Sequence, residues 1–167
     1  CFPKDSRAII SIAEDAGYDF ALMRGVVTVN DEQFDRIVRK VASVTPLEGA
    51  AIGLLGLAFK AGTDDTRESP ALSVARRLIA AGATGRGFDP AVAAVDVDGR
   101  GVVDDAYAAC EGANALVIAT EWDDFKWLDL DKIADTMAEK HIVDARNLLD
   151  RGAVKRRGFS YQGVGRS

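Results

Sequence analysis

The sequence predicts an α/β chain, a small doubly wound parallel sheet preceded by a helical segment. Three observations point there. Strand-like segments at 50–59, 83–89, 115–120 and 142–145 alternate with helical patterns, as in parallel strands joined by crossover helices. The run Ala115-Leu116-Val117-Ile118-Ala119-Thr120 is continuously apolar, as strands buried on both faces are. Residues 1–45 instead repeat apolar residues at helical spacing.

Taken in order, Cys1-Phe2-Pro3-Lys4-Asp5-Ser6 reads as a helix start. Pro3 suits a first helical position and Asp5 suits the positive end of the helix dipole. Ile9, Ile10, Ile12, Ala13 and Ala16 continue the helix, and Gly17 is its expected stop. Leu22, Met23, Val26, Val27, Phe34, Ile37, Val38, Val41 and Val44 form a second apolar stripe. That helix starts either at an Asn30–Gln33 cap or runs unbroken from about Asp19, and residues 26–29 alone also fit a strand. Thr45-Pro46-Leu47-Glu48-Gly49 breaks the pattern and divides the chain into domains 1–45 and 50–167. Beyond it the sequence predicts a strand over 50–59 running into a glycine turn. A helix over 70–81 follows, capped by Ser69, opened by Pro70 and closed by Gly82. Then come a strand over 83–89, a short helix over 105–111, a strand over 115–120, a helix over 130–138, and strands over 142–145 and 159–164.

Composition narrows the function. The 167 residues are 48% hydrophobic, which supplies a packed core and excludes wholesale disorder. A net charge of −5 argues against a nucleic-acid or membrane-surface binder, which needs a basic stripe. No apolar run reaches the ~18 residues of a membrane span, and the opening lacks a signal-peptide pattern. Two cysteines are too few for a disulfide scaffold, so a cytoplasmic setting is expected. The chain opens on cysteine rather than methionine and reads as a piece of a longer protein. An amphipathic helical segment with an exposed stripe calls for a neighbour, either a second copy or a preceding domain.

Three constellations carry chemistry. In Cys1-Phe2-Pro3-Lys4-Asp5 a thiol precedes a helix N-terminus beside a lysine, which favours its nucleophilic thiolate. Asp5, about one turn on, is placed to act as base toward a water attacking a Cys-bound intermediate. The plain alternative is a chain end that happens to be cysteine. The second constellation runs from Gly53 through Gly56, Phe59 and Lys60 to Thr63-Asp64-Asp65-Thr66-Arg67-Glu68-Ser69-Pro70. Such a βα loop lies at the carboxyl edge of a parallel sheet, where open α/β domains bind ligands. G-x-G-x-x-G is absent, so this is not the dinucleotide fingerprint. Lys60 and Arg67 suit phosphate, although Asp64, Asp65 and Glu68 also cancel them as a solvated loop would. The third is Asp144-Ala145-Arg146-Asn147 at a strand end, where Arg146 joins either a ligand pocket or an ion pair. Cys110 reads as core. The single histidine, His141, precedes a strand with no metal partner nearby, and no metal is expected. Trp122, Phe125 and Trp127 read as packing that covers a pocket lip. Asp89 lies 33 residues after Gly56, well past the usual ~20 for a ribose-binding acid, and reads as a turn residue.

With these residues laid out, the chain resembles the UDP-glucose 6-dehydrogenase family, within the wider UDP-glucose/GDP-mannose dehydrogenases. CFPKD at 1–5 is similar to the family's catalytic-cysteine motif, and GLAFKAGTDDTRESPA at 56–71 to the opening of its C-terminal domain. FDP at 88–90, ATEWDDF at 119–125 and DARN at 144–147 follow in family order. The resemblance implies a Rossmann-like C-terminal domain that binds the nucleotide sugar, preceded by the end of a central helical dimerisation domain. The N-terminal NAD-binding domain has no counterpart in this chain.

The resemblance also implies roles. UDP-glucose would be oxidised at C6 to UDP-glucuronate in two hydride transfers to NAD. Cys1 would be the nucleophile of a thiohemiacetal and then a thioester, and Asp5 would assist the hydrolytic water. Lys4 and Arg67 would approach NAD, and Phe59, Lys60 and Arg146 the substrate. The family's other catalytic residues are missing, so the isolated chain is expected to be inactive. A homodimer through the helical segment is expected. The alternatives are a GDP-mannose or UDP-N-acetylmannosamine dehydrogenase fragment, or a non-catalytic nucleotide-sugar-binding or oligomerisation module. Phe2 and ATEWDDF lean toward UDP-glucose by resemblance.

Overall fold

A computed structural model describes residues 2–95 and 101–165. The chain forms two compact units, Cys1–Arg36 and Ile37–Ser167.

The first unit holds α1 (Phe2–Asp15) and most of α2 (Ala21–Ala42). Gly17 ends α1 with φ +73, and the N–H of Tyr18 closes the turn on the Ala13 carbonyl at 2.8 Å. Arg24 bridges Glu14 and Asp19, an exposed cluster of modest worth. Of the two expected starts for α2, the unbroken one is found. Asn30 lies inside the helix, and residues 26–29 are helical because the apolar stripe continues through them at helical spacing. Ile9, Ile12, Leu22, Val26 and Val29 are exposed on this unit.

The second unit opens with Ile37 and Val41 of α2, both buried. It continues through β1 (Ala51–Leu55), α3 (Pro70–Ala80), β2 (Thr84–Phe88), α4 (Ala106–Cys110) and β3 (Ala115–Ile118). A 3₁₀ turn (Asp123–Trp127) then leads to α5 (Leu130–Thr136), β4 (His141–Asp144), α6 (Arg151–Arg156) and β5 (Ser160–Gly163). All strands pair in parallel in the order β2-β1-β3-β4-β5. This is a doubly wound, Rossmann-like sheet. The chain leaves β1 toward one side and returns to the other, so the order reverses between β1 and β3.

Local chemistry explains the elements. Ser69 caps α3 by accepting from the N–H of Leu72, with Pro70 at its first position, as the sequence predicts. Asp105, Asp129 and Asp150 cap α4, α5 and α6 in the same way. A Cβ on Gly53 would stand 2.7 Å from the Ala109 carbonyl oxygen, so glycine lets α4 lie flat on β1. On that face Leu55, Leu116, Ile118 and Ile142 pack with Phe125, Ile133, Val154 and Tyr161. Ile52 and Leu54 line the opposite face with Leu78 and Ile79 of α3.

Several expectations differ in detail. β1 ends at Leu55, yet Gly56, Leu57 and Ala58 beyond it are as buried as the strand. Hydropathy therefore cannot mark where pairing stops. Helix α6 was not expected. It has six residues, includes Gly152 and buries only Val154, so it carries almost no periodic signal. His141 is the first residue of β4 rather than its predecessor. Trp127 is 85% exposed and packs no core, whereas Phe125 is buried.

Candidate functional site

One rung crosses the whole sheet: Phe88, Leu55, Ile118, Asp144 and Gly163 stand side by side in register. The residues just beyond that rung form the carboxyl edge, where open α/β sheets take ligands beside the reversal of strand order. They are Asp89 after β2, Gly56 to Lys60 after β1, Ala119 to Trp122 after β3, and Ala145 to Asn147 after β4.

The exit from β1 is a fixed turn. Gly56 adopts φ +92, and a Cβ there would lie 2.4 Å from the Thr120 Cβ, so only glycine allows the two exits to touch. The N–H groups of Leu57 and Ala58 donate to Asp89 Oδ2 at 2.8 and 3.0 Å. Thr120 Oγ1 donates to the Ala58 carbonyl at 2.9 Å, and Ser69 Oγ to the Leu57 carbonyl at 2.7 Å. The N–H of Phe59 then closes the loop on the Asp65 carbonyl at 2.8 Å. This leaves Phe59 half-buried and Lys60 exposed. Among the described residues the Lys60 ammonium has no hydrogen-bond or salt-bridge partner.

Arg67 is highly exposed and folds back on Asp65, its Nε and Nη2 donating to the two carboxylate oxygens at 2.9 and 2.8 Å. That paired hydrogen bond holds the Asp65 carboxyl well below the usual carboxylate range and raises the guanidinium. Glu68, just before the cap of α3, sits in the left-handed region at φ +55, a strained conformation for glutamate.

The exit from β4 is built around Asp144, which is fully buried. Its carboxylate accepts from the N–H of Arg146 at 3.0 Å, the N–H of Leu149 at 2.9 Å and the hydroxyl of Tyr161 at 3.0 Å. Asn147 takes φ +53, which asparagine tolerates, and clasps both backbone groups of Val164. Arg146 thereby turns toward β3. Its Nε donates to the Ala119 carbonyl at 2.8 Å and lies 3.2 Å from Glu121 Oε2. Its terminal nitrogens make no hydrogen bond among the described residues.

The edge therefore gathers Phe59, Lys60 and Arg146, with Arg67 farther along the β1–α3 loop. Lys4 and Asp5 lie in the first turn of α1, both exposed, in the helical unit. Cys1 lies outside the described residues. Cys110 is buried, and that burial, with Asp105 nearby, pushes its thiol up to about 12. Among the described residues no group of three or more His, Cys, Asp or Glu stands in a metal-binding arrangement, and no helix is long and apolar enough to cross a membrane.

A dinucleotide does not fit this turn as it fits a G-x-G-x-x-G loop. The backbone donors that would meet a pyrophosphate are taken by Asp89. The first position of α3 is a proline without N–H, and the Leu72 amide is held by Ser69. Asp144 falls in the third constellation of the sequence, whereas Asp89, Thr120, Trp122 and Tyr161 carry no sequence mark as builders of the site. A usable signal for Asp89 is its place right after a strand that neighbours β1, which brings its carboxylate to the β1 exit.

Sheet order and edge chemistry define a doubly wound α/β domain that places Lys60 and Arg146 on the carboxyl edge beside the reversal of strand order. The model of the UDP binding domain of the UDP-glucose/GDP-mannose dehydrogenase family matches residues 53–151, and the chain belongs to that family. A UDP-glucose 6-dehydrogenase of Rhizobium meliloti is 39% identical over 99% of this chain, which covers 39% of that protein. A solved UDP-glucose dehydrogenase from Pyrobaculum islandicum superposes with a TM-score of 0.84 at 33% identity, over 100% of this chain and 37% of that one. A UDP-D-ManNAc dehydrogenase from Pyrococcus horikoshii gives 0.81 at 34% identity, over 99% of this chain and 38% of that one. The chain thus spans about two fifths of the length of these relatives.

Proposed function

We propose that this chain is the nucleotide-sugar-binding part of an NAD-dependent UDP-glucose 6-dehydrogenase. Residues 50–167 would hold the UDP end of the substrate, and residues 1–45 would complete a central helical dimerisation domain. The supporting observation is that Phe59, Lys60 and Arg146 share the carboxyl edge of the sheet beside the reversal of strand order, in a segment matched by a UDP-binding domain.

The side chains suit that ligand. Lys60 offers an unengaged point charge to a phosphate oxygen. Arg146 is held by its Nε, so its two terminal nitrogens form a preset fork for a phosphate or sugar hydroxyl. Phe59 offers a half-exposed ring to a base or sugar face. In the proposed chemistry Cys1 adds to the C6 aldehyde as a thiohemiacetal, and the thioester formed later is opened by water with help from Asp5. NAD supplies the hydride acceptor. The described residues form no dinucleotide cradle, and its main site is proposed for the length of the relatives that this chain does not span. Lys4 and Arg67 would reach its phosphates, and for Arg67 that means exchanging Asp65 for the ligand. The chain alone would then make no NADH from UDP-glucose and NAD. The exposed Ile9, Ile12, Leu22, Val26 and Val29 support pairing with a second copy, and the setting proposed is cytoplasmic.

A second reading, a UDP-N-acetylmannosamine dehydrogenase, is supported by the likeness to the Pyrococcus horikoshii protein. Calorimetric titration of the chain with UDP-glucose, UDP-N-acetylmannosamine and GDP-mannose separates the readings. Preferential binding of UDP-glucose is expected. A preference for UDP-N-acetylmannosamine would favour the second reading, and equal or tighter binding of GDP-mannose would overturn both.

A further inference from the structure

Leu57 and Ala58 are 2% and 0% exposed, yet they belong to neither a strand ladder nor a helix. Buried peptide groups need partners. Here all four of their backbone groups are met by side chains alone, from Asp89 at the end of β2, Ser69 at the cap of α3 and Thr120 at the end of β3. Asp89 does the most. Its Oδ2 takes a third hydrogen bond, from the Trp122 indole at 3.0 Å, and its Oδ1 accepts from the N–H of Ala91 at 2.9 Å. One carboxylate, itself 4% exposed, therefore ties the exits of β1 and β3 together across the reversal of strand order. Four donors converge on it. A carboxylate answers that pattern because both of its oxygens accept, whereas an amide would aim an N–H at one of the donors.

We infer that Asp89 is a positioning residue for nucleotide-sugar binding: it holds the Leu57-Ala58 peptide and Trp122 so that Phe59 and Lys60 stand in their ligand-facing places before a ligand arrives. The inference rests on the proposed reading of Phe59 and Lys60 as substrate-facing. It adds a consequence that reading lacks. With the two amides engaged internally, the ligand's anionic groups are left to the Lys60 and Arg146 side chains. Without the carboxylate, two buried amides are orphaned and the turn must loosen to reach water. Binding must then also order the turn.

The test compares the wild-type chain with Asp89→Ala, Asp89→Asn and the milder Thr120→Val, which removes only the bond to the Ala58 carbonyl. The readouts are hydrogen exchange at individual amides and calorimetric titration with UDP. In Asp89→Ala, exchange at Leu57 and Ala58 should rise about tenfold beyond any change at Leu116 and Val117 of β3, and UDP affinity should fall about tenfold. Asp89→Asn keeps an acceptor for the two amides and should recover part of both, and Thr120→Val should show the same local loosening more weakly. Should Asp89→Ala fail to fold, the other two variants carry the comparison. Unchanged protection at Leu57 and Ala58, or a rise no greater than that of β3, would overturn the inference. So would unchanged or tighter UDP binding once those amides are freed. If the wild-type chain itself does not bind UDP, the proposed substrate site fails and with it the ligand-facing half of the inference, while exchange still decides whether Asp89 holds the turn.

Discussion

Removing the Asp144 carboxylate should damage the α/β unit more than any surface change nearby. Asp144→Ala strands the buried N–H of Leu149 and takes the carboxylate acceptor from the buried Tyr161 hydroxyl and the part-buried N–H of Arg146. The orphaned Leu149 N–H costs about 1–3 kcal/mol and each of the other two lost hydrogen bonds about 1 kcal/mol, so the sum is about 4 kcal/mol. That is a large share of the ~5–15 kcal/mol by which a domain is stable. Asp144→Asn keeps one acceptor and loses chiefly the part-buried bond from the N–H of Arg146, so it should cost about 1–2 kcal/mol. Tyr161→Phe removes the bond to Asp144 and should cost about 1 kcal/mol. Both tryptophans, Trp122 and Trp127, lie in the second unit, so their fluorescence during urea unfolding reports on that unit. The midpoint for Asp144→Ala should fall by about 2 M, with the order Ala worse than Asn, and Asn no better than Tyr161→Phe. A loss under about 1 kcal/mol for Asp144→Ala would refute the claim that this carboxylate organises the β4 exit.

Three other expectations follow from the same structure. Arg67 depresses the carboxyl of Asp65, so the pair favours the folded chain above the ordinary carboxylate range and loses that as pH falls; Arg67→Met should return the Asp65 midpoint toward about 3.9, read by NMR, and an unmoved midpoint would contradict the pairing. Cys110, its thiol pushed up to about 12 by burial, should stay unmodified by iodoacetamide at pH 8 until the chain is unfolded; peptide mapping that finds it alkylated in the folded chain would contradict its burial. Gly56→Ala combines a positive φ with a Cβ 2.4 Å from the Thr120 Cβ and should lower stability by about 3 kcal/mol or prevent folding; a urea midpoint within error of wild type would show that the two exits are not in contact.

Much of the fold was legible because the signals were local. Ser69-Pro70 announced α3 through capping chemistry, and the unbroken apolar run at Ala115–Ile118 announced a central parallel strand. Strand ends were less legible. Leu57 and Ala58 are as apolar and buried as β1 but pair with side chains, which composition does not record. Helix α6 was invisible because a single buried valine makes no period. Phe59, Lys60, Arg67 and Arg146 stood out as chemistry beside strand ends. The residues that place them did not, because Asp89, Thr120 and Asp144 act across strands distant in sequence. Their partners become neighbours only once the order β2-β1-β3-β4-β5 is known.

The central claim is that the carboxyl edge around β1 and β3 holds the UDP end of a nucleotide sugar. Titrating the ¹⁵N-labelled chain with UDP while following backbone amide shifts tests it most directly. The largest, saturable shifts should fall at residues 56–60, 119–122 and 145–147, and Lys60→Ala should abolish saturation over the same concentration range. Shifts centred on α6 or on the helical unit, or none at all, would contradict it.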